Sequence, residues 1–338
     1  MSENQPFGVA FIGCGSYNSS LADAANRSPK LKPIACYDLN KASADAFAEK
    51  IGIVSYENVQ EMLSRDDIQG VVIASPNNAH RENVEVVAAA GKHVFVDKPI
   101  ANTIEDALAI IDATEKAGLT LAVGHNGRRM PGHRKMKELI DAGAVGTPVT
   151  VEANFSHSGG LGLTPDQWRF YKDGCPGLPL MQLGVHFADT VQYLLGDVKE
   201  VSSFMSHIAT PADNNDVTVS LLKFDNGLLG YLGSNYATPG VYYVNVYGTG
   251  GNLYCDGGHN VSYRKAGPNQ EREQIPVEGA DSQIEELEEF ADCAVNGGKP
   301  EVDGRAALMA LSVVRAALKS NDEGCAVSIE ELIAEARG

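Results

Sequence analysis

Val9-Ala10-Phe11-Ile12-Gly13-Cys14-Gly15-Ser16-Tyr17-Asn18 is a short apolar run that breaks on a Gly-x-Gly turn. The run reads as a buried strand. Two glycines without Cβ atoms let the chain turn sharply and bring bare backbone to the start of a helix, where a phosphate's charge is stabilised. Asn18 stands where a third glycine completes the usual pattern. A lone Gly-x-Gly also occurs in ordinary strand-to-helix turns, so residues further along the chain must decide. Asp38 closes the next apolar run, Leu31–Tyr37, and lies 20 residues beyond Asn18. A carboxylate there bonds the two hydroxyls of an adenosine ribose.

Outward from this stretch, apolar runs alternate with helical patterns up to about Val123. The runs are Val9–Ile12, Leu31–Tyr37, Gly70–Ala74, His93–Val96 and Leu119–Val123, and the helical stretches include Ala42–Ile51, Ala79–Ala90 and Thr103–Ala117. That rhythm builds a parallel sheet, and strands without polar alternation suit a sheet covered on both faces. Beyond Gly146 strands follow one another through turns: Pro148–Phe155, Lys199–Ser206, Val217–Phe224, Leu228–Asn235 and Val241–Tyr247, with helical patches at Gln182–Leu195, Ser282–Val295 and Gly304–Ser320. The expected fold is α/β: an N-terminal Rossmann domain, a doubly wound parallel sheet, and a C-terminal α+β domain with a large, mostly antiparallel open sheet. The expected boundaries are 1–125 and 126–338, joined by a crossover over 124–147, with the C-terminal helices free to pack back on the first domain.

At 338 residues the chain exceeds the roughly 250–300 at which single cores split, which fits two domains. Its formal charge of −17, with no Lys/Arg stripe to offset it, argues against nucleic acid and anionic membrane as partners and leaves a small molecule. Six cysteines are scattered without a CxxC pair or a Cys/His cluster, so neither a disulfide framework nor a metal site is expected. The N-terminus lacks the basic region of a signal peptide, and no run reaches the roughly 20 apolar residues of a membrane span. A cytoplasmic location is the expectation.

Asp38 also selects between cofactors. A carboxylate repels a 2′-phosphate, and neither Leu39 nor Asn40 offers a guanidinium, so NAD is favoured over NADP; Lys41 is the nearby cation. Two further segments stand at strand ends where open α/β sheets bind ligands: Ser75-Pro76-Asn77-Asn78-Ala79-His80 and Asp97-Lys98-Pro99. His80 reads first as a helix-start or packing residue. Lys98 reads as functional, since an ammonium at a cofactor crevice can bond a reacting hydroxyl and help its proton leave.

Gly13-Cys14-Gly15, Ser75-Pro76-Asn77-x-x-His80, Gly91-Lys92-His93-Val94 and Asp97-Lys98-Pro99 together resemble the glucose-fructose oxidoreductase, inositol dehydrogenase and rhizopine-catabolism family (Gfo/Idh/MocA). The likeness covers nearly the whole chain. It continues through Asn126-Gly127-Arg128 with Pro131, Gly146-Thr147-Pro148, Trp168-Arg169, Gly184-Val185-His186-Phe187-Ala188-Asp189, Val246-Tyr247-Gly248-Thr249-Gly250-Gly251 and Gly298-Lys299-Pro300.

The resemblance implies that Lys98 and His186 contact the reacting hydroxyl. The acid that often precedes the histidine by four residues is Gln182 here, and the glutamate of Glu-Lys-Pro is Asp97. On a helix, Gln182 and His186 would share one face; an amide there orients a substrate and relays no proton. The expected cofactor contacts are Gly13, Gly15, Ser16, Tyr17, Asn18, Asp38, Ser75, Pro76, Asn77, His80, Asp97 and Lys98, and the expected substrate contacts are Arg128, His157, Trp168, Arg169, Gln182 and His186. Asp189 reads as an orienting group, and Tyr242, Tyr243 and Tyr247 as strand packing or subunit interface.

The function so implied is NAD(H)-dependent oxidation or reduction of a secondary alcohol or ketone on a sugar, cyclitol or related polyhydroxy compound, by a homodimer or homotetramer. Two alternatives stay open at this point. One is glycoside cleavage through transient oxidation with retained NAD. The other is a sensing protein that kept the fold without catalysis.

Overall fold

In the computed structural model, which describes residues 5–338, Phe7–Ile12 is strand β1, buried along its whole length. Gly13 ends it with φ +85°; a Cβ there would lie 2.8 Å from the Ser75 nitrogen. The chain turns into α1 (Ser16–Arg27) and continues through β2 (Leu31–Tyr37), α2 (Lys41–Ile51), β3 (Val54–Tyr56), α3 (Val59–Leu63), β4 (Gly70–Ile73), α4 (His80–Ala89), β5 (His93–Asp97), α5 (Ile104–Lys116) and β6 (Leu121–Gly124). Local chemistry sets these ends. The Asn40 side chain caps α2 by accepting from the Ala42 and Ser43 nitrogens, and left-handed Gly52 stops it.

The six strands form one parallel sheet in the order β3-β2-β1-β4-β5-β6. The order reverses between β1 and β4, so the crevice of a doubly wound sheet opens at their carboxyl ends. Three-residue β3 was too short to read from sequence.

The chain goes on through α6 (Pro131–Asp141), β7 (Pro148–Ser156), a π-helical turn at Leu180–Gly184, α7 (Val185–Leu195), β8 (Val198–Ser206), β9 (Val217–Phe224), β10 (Leu229–Asn235), β11 (Val241–Gly248), β12 (Gly251–Asp256), β13 (Asn260–Lys265), β14 (Glu273–Ile275), α8 (Ser282–Asn296), α9 (Gly304–Glu323), β15 (Val327–Ser328) and α10 (Ile329–Arg337). Two units result. The first holds the described residues up to Ala101 with Glu105–Gly124 and Gln283–Ala307; the second holds Asn102–Ile104, His125–Ser282 and Leu308–Gly338.

Helix α8 thus belongs mainly to the first unit. Its Leu287, Phe290 and Ala291 join the cluster of Phe7, Phe11, Leu21, Phe47 and Phe95. Phe290 packs edge-on against Phe7 and Phe95, with ring centres 5.6 and 5.9 Å away, in space left by Gly70, where a Cβ would come within 2.9 Å of the Phe290 ring.

The second unit is built on a nine-stranded sheet, β14-β13-β12-β11-β7-β10-β9-β8-β15. Its pairs are antiparallel except β7 with β10. Along β9 the faces alternate: Thr218, Ser220, Leu222 and Phe224 are buried, while Val219 and Leu221 are exposed. Strand β15 pairs with only two residues of β8, and α9 satisfies more of that edge: Ser203 N donates to Ser320 Oγ and Met205 N to Asn321 Oδ1.

Where only a crossover was expected, over 124–147, the structure has α6, with Pro131 at its first turn. Its buried face is Pro131, Gly132, His133 and Met136, residue types that do not announce an apolar stripe.

Candidate active site

In the first unit, the turn after β1 presents backbone with little cover. Helix α1 starts at Gly15 with no side-chain cap and no acid in its first turn, and a Cβ on Gly15 would meet nothing within 4 Å. Its first N–H groups are therefore placed for an anion. Asn18 does not face outward. It is fully buried, and its Nδ2 donates to the carbonyls of Ile12 (3.1 Å) and Gly13 (2.6 Å), bracing the turn from within. Asp38 is drawn against the same turn, its Oδ2 accepting from Cys14 N at 2.7 Å and its Oδ1 from Asn40 N at 2.8 Å.

The segments after β4 and β5 are tied together by His80. Nδ1 of its buried ring lies 3.0 Å from the Pro99 carbonyl oxygen and 3.3 Å from that of Ile100, and Nε2 lies 3.0 Å from that of Ser75. Burial pushes its pKa down, against the upward pull of those carbonyls. Both nitrogens face backbone, so the ring acts as a bracket for the Lys98-Pro99 segment, in keeping with its reading as a packing residue. Ser75 accepts a bond from Asn83 through its hydroxyl, and Asn77 is buried in the turn after β4. The Lys98 ammonium lies 6.0 Å from the centre of the Tyr17 ring, whose phenol is pushed well above its usual pKa by burial and by the charges of Asp97 and Glu286.

In the second unit, the π turn carries Gln182, 4% exposed. Its Oε1 accepts from Arg169 Nε at 3.1 Å, and its Nε2 donates to Cys175 Sγ at 3.3 Å. The Arg169 guanidinium lies on the Trp168 ring, 4.4 Å from its centre. His186, half-buried at the start of α7, sits among rings: His125 at 6.4 Å and Phe155 at 5.9 Å between centres. Gln182 thus lies in the π turn, and His186 in the first turn of the α-helix that follows it.

Arg128, expected at the sugar, makes a bidentate pair with Asp189, at 2.7 and 2.6 Å. That pair ties its loop to α7 and gives Asp189 the orienting part expected of it. His157 Nδ1 accepts from Gly159 N at 2.9 Å, so its neutral ring carries the proton on Nε2; burial lowers its pKa. A cleft of about 520 Å³ is lined by Phe155, His157, Tyr242, Tyr243 and Asp256, among others. Tyr242 packs on Phe155 and Phe187. His125 is not legible as a site residue from sequence, its only signal being its place directly before Asn126-Gly127-Arg128.

A bare glycine turn, an uncapped helix start and an acid at the tip of β2, in a sheet of this order, define a Rossmann-type domain, and these residues fit a dinucleotide. Residues 7–125 match the family model described as an oxidoreductase family with an NAD-binding Rossmann fold, and residues 133–254 match the GFO/IDH/MocA C-terminal domain. A solved structure from Desulfitobacterium hafniense, described as a candidate NADPH-dependent oxidoreductase, is 37% identical over 97% of this chain and 99% of that one, with a TM-score of 0.93. D-apiose dehydrogenase of Paraburkholderia graminis is 27% identical over 98% of this chain and 92% of its own. Myo-inositol 2-dehydrogenase of Thermotoga maritima is 25% identical over 96% and 99%. The chain belongs to the Gfo/Idh/MocA family of oxidoreductases, and its first unit is the NAD-binding domain of that family.

Proposed function

We propose that this protein oxidises or reduces a secondary alcohol or ketone of a sugar, cyclitol or related polyhydroxy compound, with Lys98 and His186 handling the hydroxyl proton. The observation that carries the reading is the bracketing of the Lys98-Pro99 segment at the carboxyl end of β5 by three backbone contacts of His80. Bound NAD supplies the hydride acceptor for oxidation, and NADH the donor for reduction. In the oxidative direction the hydroxyl proton passes to His186 while the Lys98 ammonium meets the charge developing on oxygen. Gln182 holds a neighbouring hydroxyl. The Trp168 ring offers a face for sugar C–H surface, Arg169 and His157 offer donors, and Arg128 acts through Asp189.

Steady-state kinetics on a panel of sugars and cyclitols test the roles. Lys98→Ala and His186→Ala should each depress kcat by about 10²–10⁴-fold, and Gln182→Ala should cost nearer tenfold, partly in KM. Near-normal kcat in His186→Ala with activity abolished in Gln182→Ala would overturn the assignment.

The second unit's sheet leaves Phe204, Val219, Leu221 and Leu229 exposed, with Tyr231 directly opposite Leu221. An apolar face of this kind is covered when a second copy docks on it, which supports a homodimer or homotetramer; light scattering that finds a monomer at micromolar concentration rejects it. A cytoplasmic location belongs to the same reading, supported by six cysteines that stand as free thiols.

A further inference from the structure

Arg169 is a cation held in place by groups that carry no charge. Its Nε–H goes to the amide oxygen of Gln182 and its flat face lies on the Trp168 ring. The amide is in turn fixed by Cys175, which takes a bond from its nitrogen. Among the described residues no carboxylate pairs with Arg169, in contrast with Arg128, whose guanidinium is closed off by both oxygens of Asp189. A guanidinium has five N–H donors in a rigid fork. Here one is spent on Gln182, and the four on the two Nη atoms have no partner among the described residues. The charge is felt locally: the phenol of Tyr236, 8% exposed, is pushed up in pKa by burial and drawn back by Arg169.

From this arrangement we infer that Arg169 selects a substrate bearing a carboxylate, a sugar acid of the uronate or aldonate kind. The two Nη groups present the parallel donor pair that a carboxylate accepts bidentately. Trp168 fixes the plane of that fork, and Gln182 holds the Nε edge without neutralising it. A single guanidinium balances a monoanion, which favours a carboxylate over a doubly charged phosphate. The inference rests on the oxidoreductase reading above and narrows its substrate class.

The test uses matched pairs, D-galacturonate with D-galactose and D-gluconate with D-glucitol, plus D-glucose 6-phosphate. Binding to the full-length protein with saturating NADH is measured by calorimetry, and turnover is followed separately by NADH absorbance, with NAD supplied for oxidation and NADH for reduction. The acid of at least one pair should bind about 10- to 100-fold more tightly than its neutral partner. Arg169→Gln should bring that ratio to about one. Gln182→Glu, which places a carboxylate on the Nε edge, should lower it similarly, and Arg169→Lys should keep part of it by charge alone. Equal binding within both pairs, binding of no acid, a ratio that survives Arg169→Gln, or tighter binding of the phosphate ester overturns the inference. Turnover of neutral polyols with no acid preference sinks it and leaves the oxidoreductase reading standing. Selective acid binding without turnover of any alcohol or ketone does the reverse.

Discussion

In the first unit Asn18, Asp38 and His80 bond backbone atoms, whereas in the second Arg169, Gln182 and Cys175 bond one another through side chains. Asn18 bonds two carbonyls, His80 faces three, and Asp38 takes two backbone N–H groups. In the second unit, Arg169, Gln182 and Cys175 form a chain of side-chain contacts, Arg128 pairs with Asp189, and His186 rests among rings. A site specified by backbone geometry leaves little freedom, because its glycines and braces answer to fixed dihedrals and close approaches. A site specified by side chains can change one partner and keep its backbone. That is how an amide can stand at position 182 and bond Arg169 without neutralising it.

Asp189 is where the side-chain half is most open to disproof. Removing one member of a buried, bidentate ion pair costs about 3–5 kcal/mol, so Asp189→Ala should lower the unfolding free energy by that amount in denaturant titration. A loss below about 1 kcal/mol would mean the pair is not what holds this region. His133 gives the next effect. Burial lowers its pKa from 6.5 to about 4, so between those values the unfolded chain binds a proton that the folded chain does not. Stability from this group is complete above pH 6.5 and falls by up to about 3 kcal/mol as pH drops to 4. His133→Phe, which keeps a ring beside Tyr242, should flatten that slope relative to the parent; unchanged slopes would refute the assignment. The smallest effect belongs to the backbone-built half. A carboxylate at the tip of β2 can bond a ribose diol and repels a 2′-phosphate, so NAD(H) should bind more tightly than NADP(H), and Asp38→Ser should narrow the preference by about tenfold, or about 1.4 kcal/mol. Equal or tighter NADP(H) binding by the parent, the cofactor named for the Desulfitobacterium relative, would sink this reading.

The same contrast explains what could be read in advance. Gly13, Gly15 and Asp38 have backbone roles at fixed offsets, so the parallel, doubly wound character of the first sheet and its ligand end were legible in residue types, whereas the strand order came from the structure. The strands from Pro148 to Val246 were legible through alternation and turn residues. Helix α6 was not, because His133 takes the place of an apolar side chain, stacked on Tyr242 at 6.1 Å. Strands β12 and β13 hid behind Gly251, Asn252, Asn260 and Arg264. At position 182 the missing acid was plain in the sequence. The π turn and the contacts with Arg169 and Cys175 were not, since they depend on how distant segments pack.

The return of α8 to the first unit bears on how the protein is made. Synthesis delivers Phe290 only after all of His125–Ser282 in the second unit has emerged. Until then the first sheet stands with a gap over Phe7 and Phe95, and the usual order, in which the earlier domain finishes before the later one begins, cannot hold. Strands β7 to β14 can pair while the nucleotide domain still waits for its last aromatic ring. A nascent chain halted before Phe290 exposes that gap to chaperones and proteases. Completion of the first unit's core therefore comes after most of the second sheet has been synthesised.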